Sequence, residues 1–356
     1  MIRFYMHTTL PRRFYADPDF YRAELERFYV NRWICAGRAD QMPNPGDYFT
    51  REVGDDNVIV TRDTSGDVRA LFNVCRHRGT RLCDQAAGHF VERIQCPYHA
   101  WTYDLGGRLL AAPHMAPDFC KDDYPLKHAG CRVWEGHIFI CFGSADFPAL
   151  PDFGAWSMND LRLGHRIVYD VRANWKLIVL NFNECLHCPT LHPALNRLHH
   201  YLGADNVQPT ECYCGGAMGF KDGVETMSVD GKRRRPCLPG LNRSQQQQVA
   251  YYSIYPNLLL SLHPDYMMTH TLWPRAHDRT EIVCEWHFHR DAINTPGFVT
   301  DDAIAFWDET NREDWWISEQ SQKGISSRAY EPGPYSTREE LLWGFDEIVR
   351  RSAGQV

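Results

Sequence analysis

Four residues constrain this chain more than anything else in it. Cys75 and His77 form a CxH pair in NVCRHRGTRLC, and Cys96 and His99 form a CxxH pair in QCPYHAWTYDLGGRL. Two thiols and two imidazoles in mixed pairs suit a cluster whose irons differ: in a [2Fe-2S] centre with two histidines, both thiolates hold one iron and both imidazoles the other, and neutral imidazole raises the reduction potential. The same four atoms would also satisfy a tetrahedral zinc. Cys83 and His89 lie between the pairs without a partner at ligand spacing and are read as structural. Around the pairs, from Gly46 to about Phe142, short β-rich runs (NVIVTRD, VRALFNV, HIFICF) broken by Gly, Asp and Pro predict a small antiparallel domain with the four residues on two of its turns.

A second constellation follows in NFNECLHCPTLHP, which carries Glu184, His187 and His192. On an uninterrupted helix the two histidines would point about 140° apart. Pro189 lies between them and breaks the turn, so the chain can re-aim His192 beside His187. Two histidines and a carboxylate make the facial triad of oxygen-activating mononuclear iron. Glu184, one turn before His187 on the predicted helix, is placed to hydrogen-bond a neighbour of the metal. His287 and His289 share one strand face and form a rival pair, though no acid-bearing helix motif accompanies them. Cys185 and Cys188 make a CxxC that interleaves with the histidines; it lacks the strand-to-helix context of a redox motif and is read as packing.

The order CxH, CPYHxW, a Gly-Leu turn, NWK, then an acid three residues before a HisxxxxHis pair resembles the Rieske-type non-haem iron oxygenases, specifically their large terminal oxygenase (alpha) subunit. The likeness runs from near Phe14 to near Arg350. NFNECLHCP and EDWWISEQSQKG look nearest to the choline monooxygenase and stachydrine demethylase-like branch, beside the ring-hydroxylating branch. The resemblance implies a [2Fe-2S] Rieske cluster on Cys75, His77, Cys96 and His99, within loops that include Arg76, Arg78, Gly79, Pro97, Tyr98 and Trp101. It implies a mononuclear Fe(II) on His187, His192 and Asp314, with Glu313 as the runner-up ligand. Glu184 would bridge a metal histidine to the cluster histidine, matched here by His99, of the adjacent subunit in a homotrimer. Where relatives often carry Glu and Tyr near the motif, this chain has Leu180 and Leu186.

Taken with that likeness, the expected class is α+β: residues 1–40 an N-terminal helical segment packing on the catalytic domain, 41–148 the Rieske domain, and 149–356 a catalytic domain whose antiparallel sheet wraps around helices in a helix-grip arrangement. Asp17 and Pro18 open the amphipathic first helix as N-cap and first-turn residue, with Phe20, Leu25, Phe28 and Tyr29 at helical spacing. AYYSIYPNLLLSLHP, YMMTHTLWP and TEIVCEWHFHRD read as adjacent strands, and about Asp301 to Arg328 as a helix.

A net charge of −7 argues against nucleic acid as partner. Lys232, Arg233, Arg234 and Arg235 are read as a solvated loop, or more sharply as a docking patch for an acidic electron donor. No signal peptide is read in MIRFYMHTTLPRRFY and no apolar run reaches membrane length, so a cytoplasmic protein without a membrane partner is expected. Thirteen cysteines at irregular spacing fit reduced thiols rather than a disulfide framework. With no GxGxxG or GxxxxGK fingerprint in the chain, electrons must come from a separate NAD(P)H-dependent reductase, a ferredoxin, or both. The function read is hydroxylation or oxidative demethylation of a small organic substrate with O2, a quaternary ammonium compound first. An aromatic substrate is the alternative, and a non-enzymatic electron-transfer protein the second. Tyr252, Tyr255, Met267, Met268, Trp315 and Trp316 are candidate substrate walls.

Overall fold

The computed structural model describes residues 7–354, so the start of the segment read as lacking an export signal lies outside the described residues. The chain is α+β with antiparallel sheets. Its backbone divides into two compact units, Leu25–Pro148 and Met1–Glu24 with Ala149–Val356; on the N-terminal side the division falls at Glu24, not at residue 40. Among the described residues no helix is long and apolar enough to cross a membrane.

In the Leu25–Pro148 unit, a seven-stranded sheet runs in the order Ile34–Arg38, His137–Cys141, His128–Trp134, Val68–Phe72, Asp56–Arg62, Asp47–Val53, Ala87–His89. The continuous apolar run Val58, Ile59 and Val60 is fully buried, as a strand covered on both faces requires. A smaller sheet joins Arg93–Gln95, Thr102–Asp104 and Leu109–Ala111. Its first hairpin holds the CPYHAW turn between paired Gln95 and Thr102. Cys83 and His89 are structural in geometry: the Cys83 thiol bonds Tyr48 Oη at 3.0 Å, and His89 Nδ1 bonds Asp47 at 2.8 Å.

In the other unit, a second seven-stranded sheet runs Leu161–Val171, Arg279–His289, Met267–Ala276, Leu258–Leu262, Gln248–Ile254, Tyr213–Phe220, His199–Val207. The long helix Asp301–Ile325 lies against it. Polar ties fix that contact: Trp307 Nε1 donates to Tyr266 Oη at 2.8 Å, Tyr169 Oη donates to Asp308 at 2.7 Å, and His270 Nε2 bonds Asn311 Oδ1 at 3.1 Å. A short helix, Arg13–Ala16, precedes the helix expected at Pro18; Asp17 caps that helix, Pro18–Leu25, through Asp19 and Phe20 N–H groups, and the chain continues as a π-helix over Glu26–Val30. Glu24 of this helix is buried and bonds both Lys176 Nζ, at 2.6 and 2.7 Å, and Trp175 Nε1, at 3.0 Å. A buried ammonium is tolerable only with such a counter-charge.

Trp175 and Lys176 begin the helix Trp175–Phe182, capped by Asn174 Oδ1 accepting from Lys176 N. The sequence predicts this helix to run on through the histidine motif, and it does not. It ends at Phe182, and Asn183 to His187 form a turn before the short helices Cys188–Leu191 and Pro193–Asn196. Each short helix carries proline in its first turn, Pro189 as second residue and Pro193 as first, where the N–H that proline lacks has no partner in the helix. A final helix, Glu340–Ser352, was not read from the sequence.

The basic run is a loop, exposed at Lys232 and Arg234, with one buried member, Arg235. Arg235 is buried against Asp265 and Asp302, Arg234 pairs with Asp230 and Asp302, and Lys232 pairs with Glu225. Of these charges only that of Arg235 is spent inside the fold; Lys232 and Arg234 stay exposed, in surface pairs.

Candidate metal centres

Two similar turns present the cluster residues. Gly79 N donates to Cys75 O at 3.0 Å and Ala100 N to Cys96 O at 3.2 Å, so each cysteine opens a five-residue turn. Both turns close on a left-handed residue, Gly79 at φ +75° and Ala100 at φ +56°. Glycine adopts that conformation freely, whereas alanine pays about 1–2 kcal/mol for it. Cys75 and Cys96 are buried, and burial raises the Cys75 thiol pKa. The imidazoles of His77 and His99 lie 4.7 Å apart, with His77 stacked on Trp101 at 4.9 Å. Tyr103 Oη sits 3.4 Å from Cys75 Sγ and accepts from Arg76 N at 3.0 Å. His99 Nδ1 is shielded from solvent with no hydrogen-bond partner, which suits a metal-binding nitrogen and would otherwise carry a desolvation cost. The donor set fits a two-histidine, two-cysteine cluster.

The second site gathers His187, His192 and Asp314, whose ligand atoms lie within 4.8 Å of one another. Asp314 Oδ1 is 2.8 Å from His192 Nε2 and 3.4 Å from His187 Nε2, so one carboxylate faces the same nitrogen of both rings. The opposite nitrogens are held by other acids. His187 Nδ1 bonds Glu184 Oε1 at 2.5 Å, and His192 Nδ1 bonds Glu313 Oε2 at 2.6 Å. Glu184 also accepts from Leu186 N. A carboxylate on Nδ1 fixes the ring's orientation and leaves Nε2 for a metal.

The acids and imidazoles shift one another. Burial alone would lower the His187 pKa, but bonds to Asp314 and Glu184 outweigh it and raise it to about 9. His192 is raised in the same way by Asp314 and Glu313. Burial would raise Asp314, yet the two histidines hold it below its ordinary value. A site this rich in carboxylate and closed by two Nε2 atoms suits a hard or borderline divalent cation, and mononuclear Fe(II) fits it.

Structure and sequence differ around this centre in several respects. Glu184 and His187 meet across a turn rather than along a helix face. Glu313, the alternative ligand, stands instead behind His192; its part was missed because two adjacent acids look alike in sequence and only the ring between them tells them apart. Cys185 and Cys188, read as packing residues among reduced thiols, are joined as a disulfide, their Cα atoms brought 5.0 Å apart by the turn. The rival His287 pairs with Glu285 at 3.3 Å, on its own strand and apart from this cluster.

A cavity of about 300 Å³ opens on the site, lined by the histidines and Asp314 together with Phe182, Tyr251, Met268, His270, Trp307 and Trp315. Of the candidate walls only Met268 and Trp315 line it. Tyr252 faces the other side of its strand, against Phe153, while Tyr251 takes the cavity side. Tyr255 bonds Cys214, Met267 is core and Trp316 is exposed.

Two family matches cover most of the chain: the Rieske [2Fe-2S] domain over residues 32–139 and the ring hydroxylating alpha subunit (catalytic domain) over residues 158–355. The glycine betaine monooxygenase oxygenase subunit of Pseudomonas aeruginosa is 31% identical, over 94% of this chain and 86% of that protein. The chloroplastic choline monooxygenase of Spinacia oleracea is 28% identical, over 92% and 74%. Among solved structures, a quaternary ammonium Rieske monooxygenase in complex with L-carnitine is similar with a TM-score of 0.79 at 24% identity, over 98% of this chain and 96% of that one. Naphthalene 1,2-dioxygenase from Rhodococcus shares the fold at a TM-score of 0.74 and 18% identity, over 96% and 94%. Two separate domain matches in one order, together with a relative alike along nearly the whole length, leave one conclusion: the chain belongs to the Rieske non-haem iron oxygenases and is an enzyme that takes a Rieske [2Fe-2S] cluster and a mononuclear iron.

Proposed function

We propose that this oxygenase hydroxylates a small quaternary ammonium compound at a carbon next to nitrogen, with loss of that carbon as aldehyde where it is a methyl group. One oxygen atom of O2 enters the substrate and the other leaves as water, for which two electrons and two protons are supplied. The observation that carries the reading is the cavity's chemistry. Phe182, Tyr251, Trp307 and Trp315 offer aromatic faces to a cation, which attract it more strongly where water is excluded. His270 adds no repelling charge, since burial lowers its pKa to about 4. Arg338 is the one Lys or Arg among the lining residues, and it is exposed, placed to meet the carboxylate of a zwitterion.

In this reading Cys75, Cys96, His77 and His99 would hold the cluster. His187, His192 and Asp314 would hold the mononuclear iron. The cluster supplies single electrons and the iron supplies oxygen activation. Glu184 and Glu313 are positioning residues that set the Nδ1 side of each iron histidine. Electrons come from an NAD(P)H-dependent reductase, with or without a ferredoxin, and the enzyme is a cytoplasmic homotrimer in which Glu184 links the iron of one subunit to His99 of the next. The relatives' activities support the substrate class.

The test is oxygen uptake and product mass with a surrogate reductase and NAD(P)H, offering glycine betaine, carnitine, choline and naphthalene in parallel. Turnover of an ammonium compound is expected. Turnover of naphthalene alone would replace this reading with aromatic-ring hydroxylation.

A further inference from the structure

Beside the iron site lies a second group of ligand-type atoms that the oxygenase reaction does not use. Cys185, Cys188 and His199 place two sulfurs and an imidazole nitrogen within 4.8 Å of one another, and Cys185 Sγ is 3.8 Å from His199 Nε2. Cys188 and His199 are buried, at 2% and 0% exposure. All three residues also line the cavity, so the group is reachable from solvent through it. The cysteines are joined, but a bridge spanning so few residues removes little chain entropy, and stabilisation is therefore a poor account of why the pair is there. A CxxC at the start of a helix with a third histidine donor is instead the arrangement in which a tetrahedral thiophilic ion is held, its fourth position open to water.

We infer that Cys185, Cys188 and His199 form a second metal site, separate from His187, His192 and Asp314, which in its dithiol form takes a thiophilic divalent ion such as zinc. Opening the site converts the disulfide to two thiols: a thiol reductant supplies both electrons and both protons and leaves as its own disulfide, whereas a phosphine supplies the two electrons, water supplies the two protons, and the water oxygen leaves on the phosphine oxide. Zinc entry then releases two protons as both sulfurs become thiolates. Burial and neighbouring charge keep His199 neutral, the form that binds metal. One donor pair already has the spacing the ion needs: Cys185 Sγ and His199 Nε2 stand 3.8 Å apart, and two ligands at about 2.0–2.3 Å in a tetrahedron stand roughly 3.3–3.8 Å apart, a distance to which the two sulfurs part once the bridge is reduced. The consequence is local: a bound ion would pin the turn carrying His187 to the strand His199–Val207.

The experiment uses the holoprotein, with its cluster and iron, before and after treatment with a phosphine reductant. Metal analysis follows zinc uptake, and cadmium is used in parallel for its ultraviolet thiolate charge-transfer band. Reduced wild type is expected to take up about one extra equivalent with the band, while unreduced wild type takes up none. Cys185→Ser with Cys188→Ser should abolish both signals, and His199→Gln should weaken binding roughly ten-fold or more while keeping the cadmium–thiolate band. Equal uptake before and after reduction overturns the inference without any variant. So does equal uptake by the serine variant, zinc that displaces the mononuclear iron while the thiols remain free to alkylate, or a pair that stays closed under reductant. None of these readouts involves turnover, so the inference and the substrate reading fail independently.

Discussion

Glu313 bonds the Nδ1 of His192 at 2.6 Å, from the helix position next to the acid that faces the Nε2 of the same ring. Successive residues on a helix point about 100° apart, and here that angle is used to grip one imidazole on both edges. The two acids should therefore fail differently. Asp314→Ala is expected to lose mononuclear iron while keeping the cluster, whereas Glu313→Gln should keep iron with an affinity roughly 10–100-fold weaker. Iron counted per chain, with the cluster followed by its visible absorbance, checks this. The reverse ranking would move the ligand to Glu313.

Glu184→Gln keeps size and removes charge. Both metal centres should fill, and the cluster should reduce normally, yet single-turnover transfer of that electron to the iron should collapse. Rapid mixing with freeze-quenched spin resonance measures it. Iron lost from this variant would make Glu184 a ligand, and wild-type transfer would leave it merely a ring-positioning acid.

Arg338→Gln should raise KM for glycine betaine or carnitine and leave choline, which has no carboxylate, nearly unchanged. Steady-state kinetics on the zwitterion and the simple cation side by side decide it. An equal change for both would remove Arg338 from carboxylate recognition.

Asp346 gives the fold a pH dependence of known sign. Burial pushes its carboxyl up to about 7, although Tyr335 donates a hydrogen bond to it at 2.7 Å. The unfolded chain releases this proton near pH 4, so between pH 4 and about 7 folding takes up a proton, and this group's contribution to stability falls as pH rises, by at most about 1.4 kcal/mol per unit. Asp346→Asn should then be more stable than wild type at pH 8 and converge with it towards pH 4. Thermal midpoints across that range test the sign.

Much of this was legible in the sequence because each feature was local. The CxH and CxxH pairs name their own turns, and the apolar runs around Val58–Val60 and Leu258–Leu262 name buried strands. The acids and rings of the second site were also visible, including the need for Pro189 to bend the chain. What could not be read depends on tertiary approach. Arg235 looks like surface until Asp265 and Asp302 arrive from distant segments. Tyr251 and Tyr252 are interchangeable as letters, and only the strand's facing chooses between them. The end of the helix at Phe182 is not legible in the sequence, because no proline or glycine marks it before Pro189.

The salt link between Glu24 and Lys176 makes the beginning of the chain a foundation for its middle. The helix that it anchors runs directly into the turn bearing Glu184 and His187, so the reach of those side chains is set partly by a residue more than a hundred positions away. A version trimmed to begin at Ile34 would retain every candidate ligand. It would also strand an ammonium in the protein interior, at a cost of several kcal/mol, and the loop downstream would lose its footing before any metal was touched. The catalytic half of this enzyme is thus not a detachable cassette: its first structural member is read before the Rieske half, and its last long after.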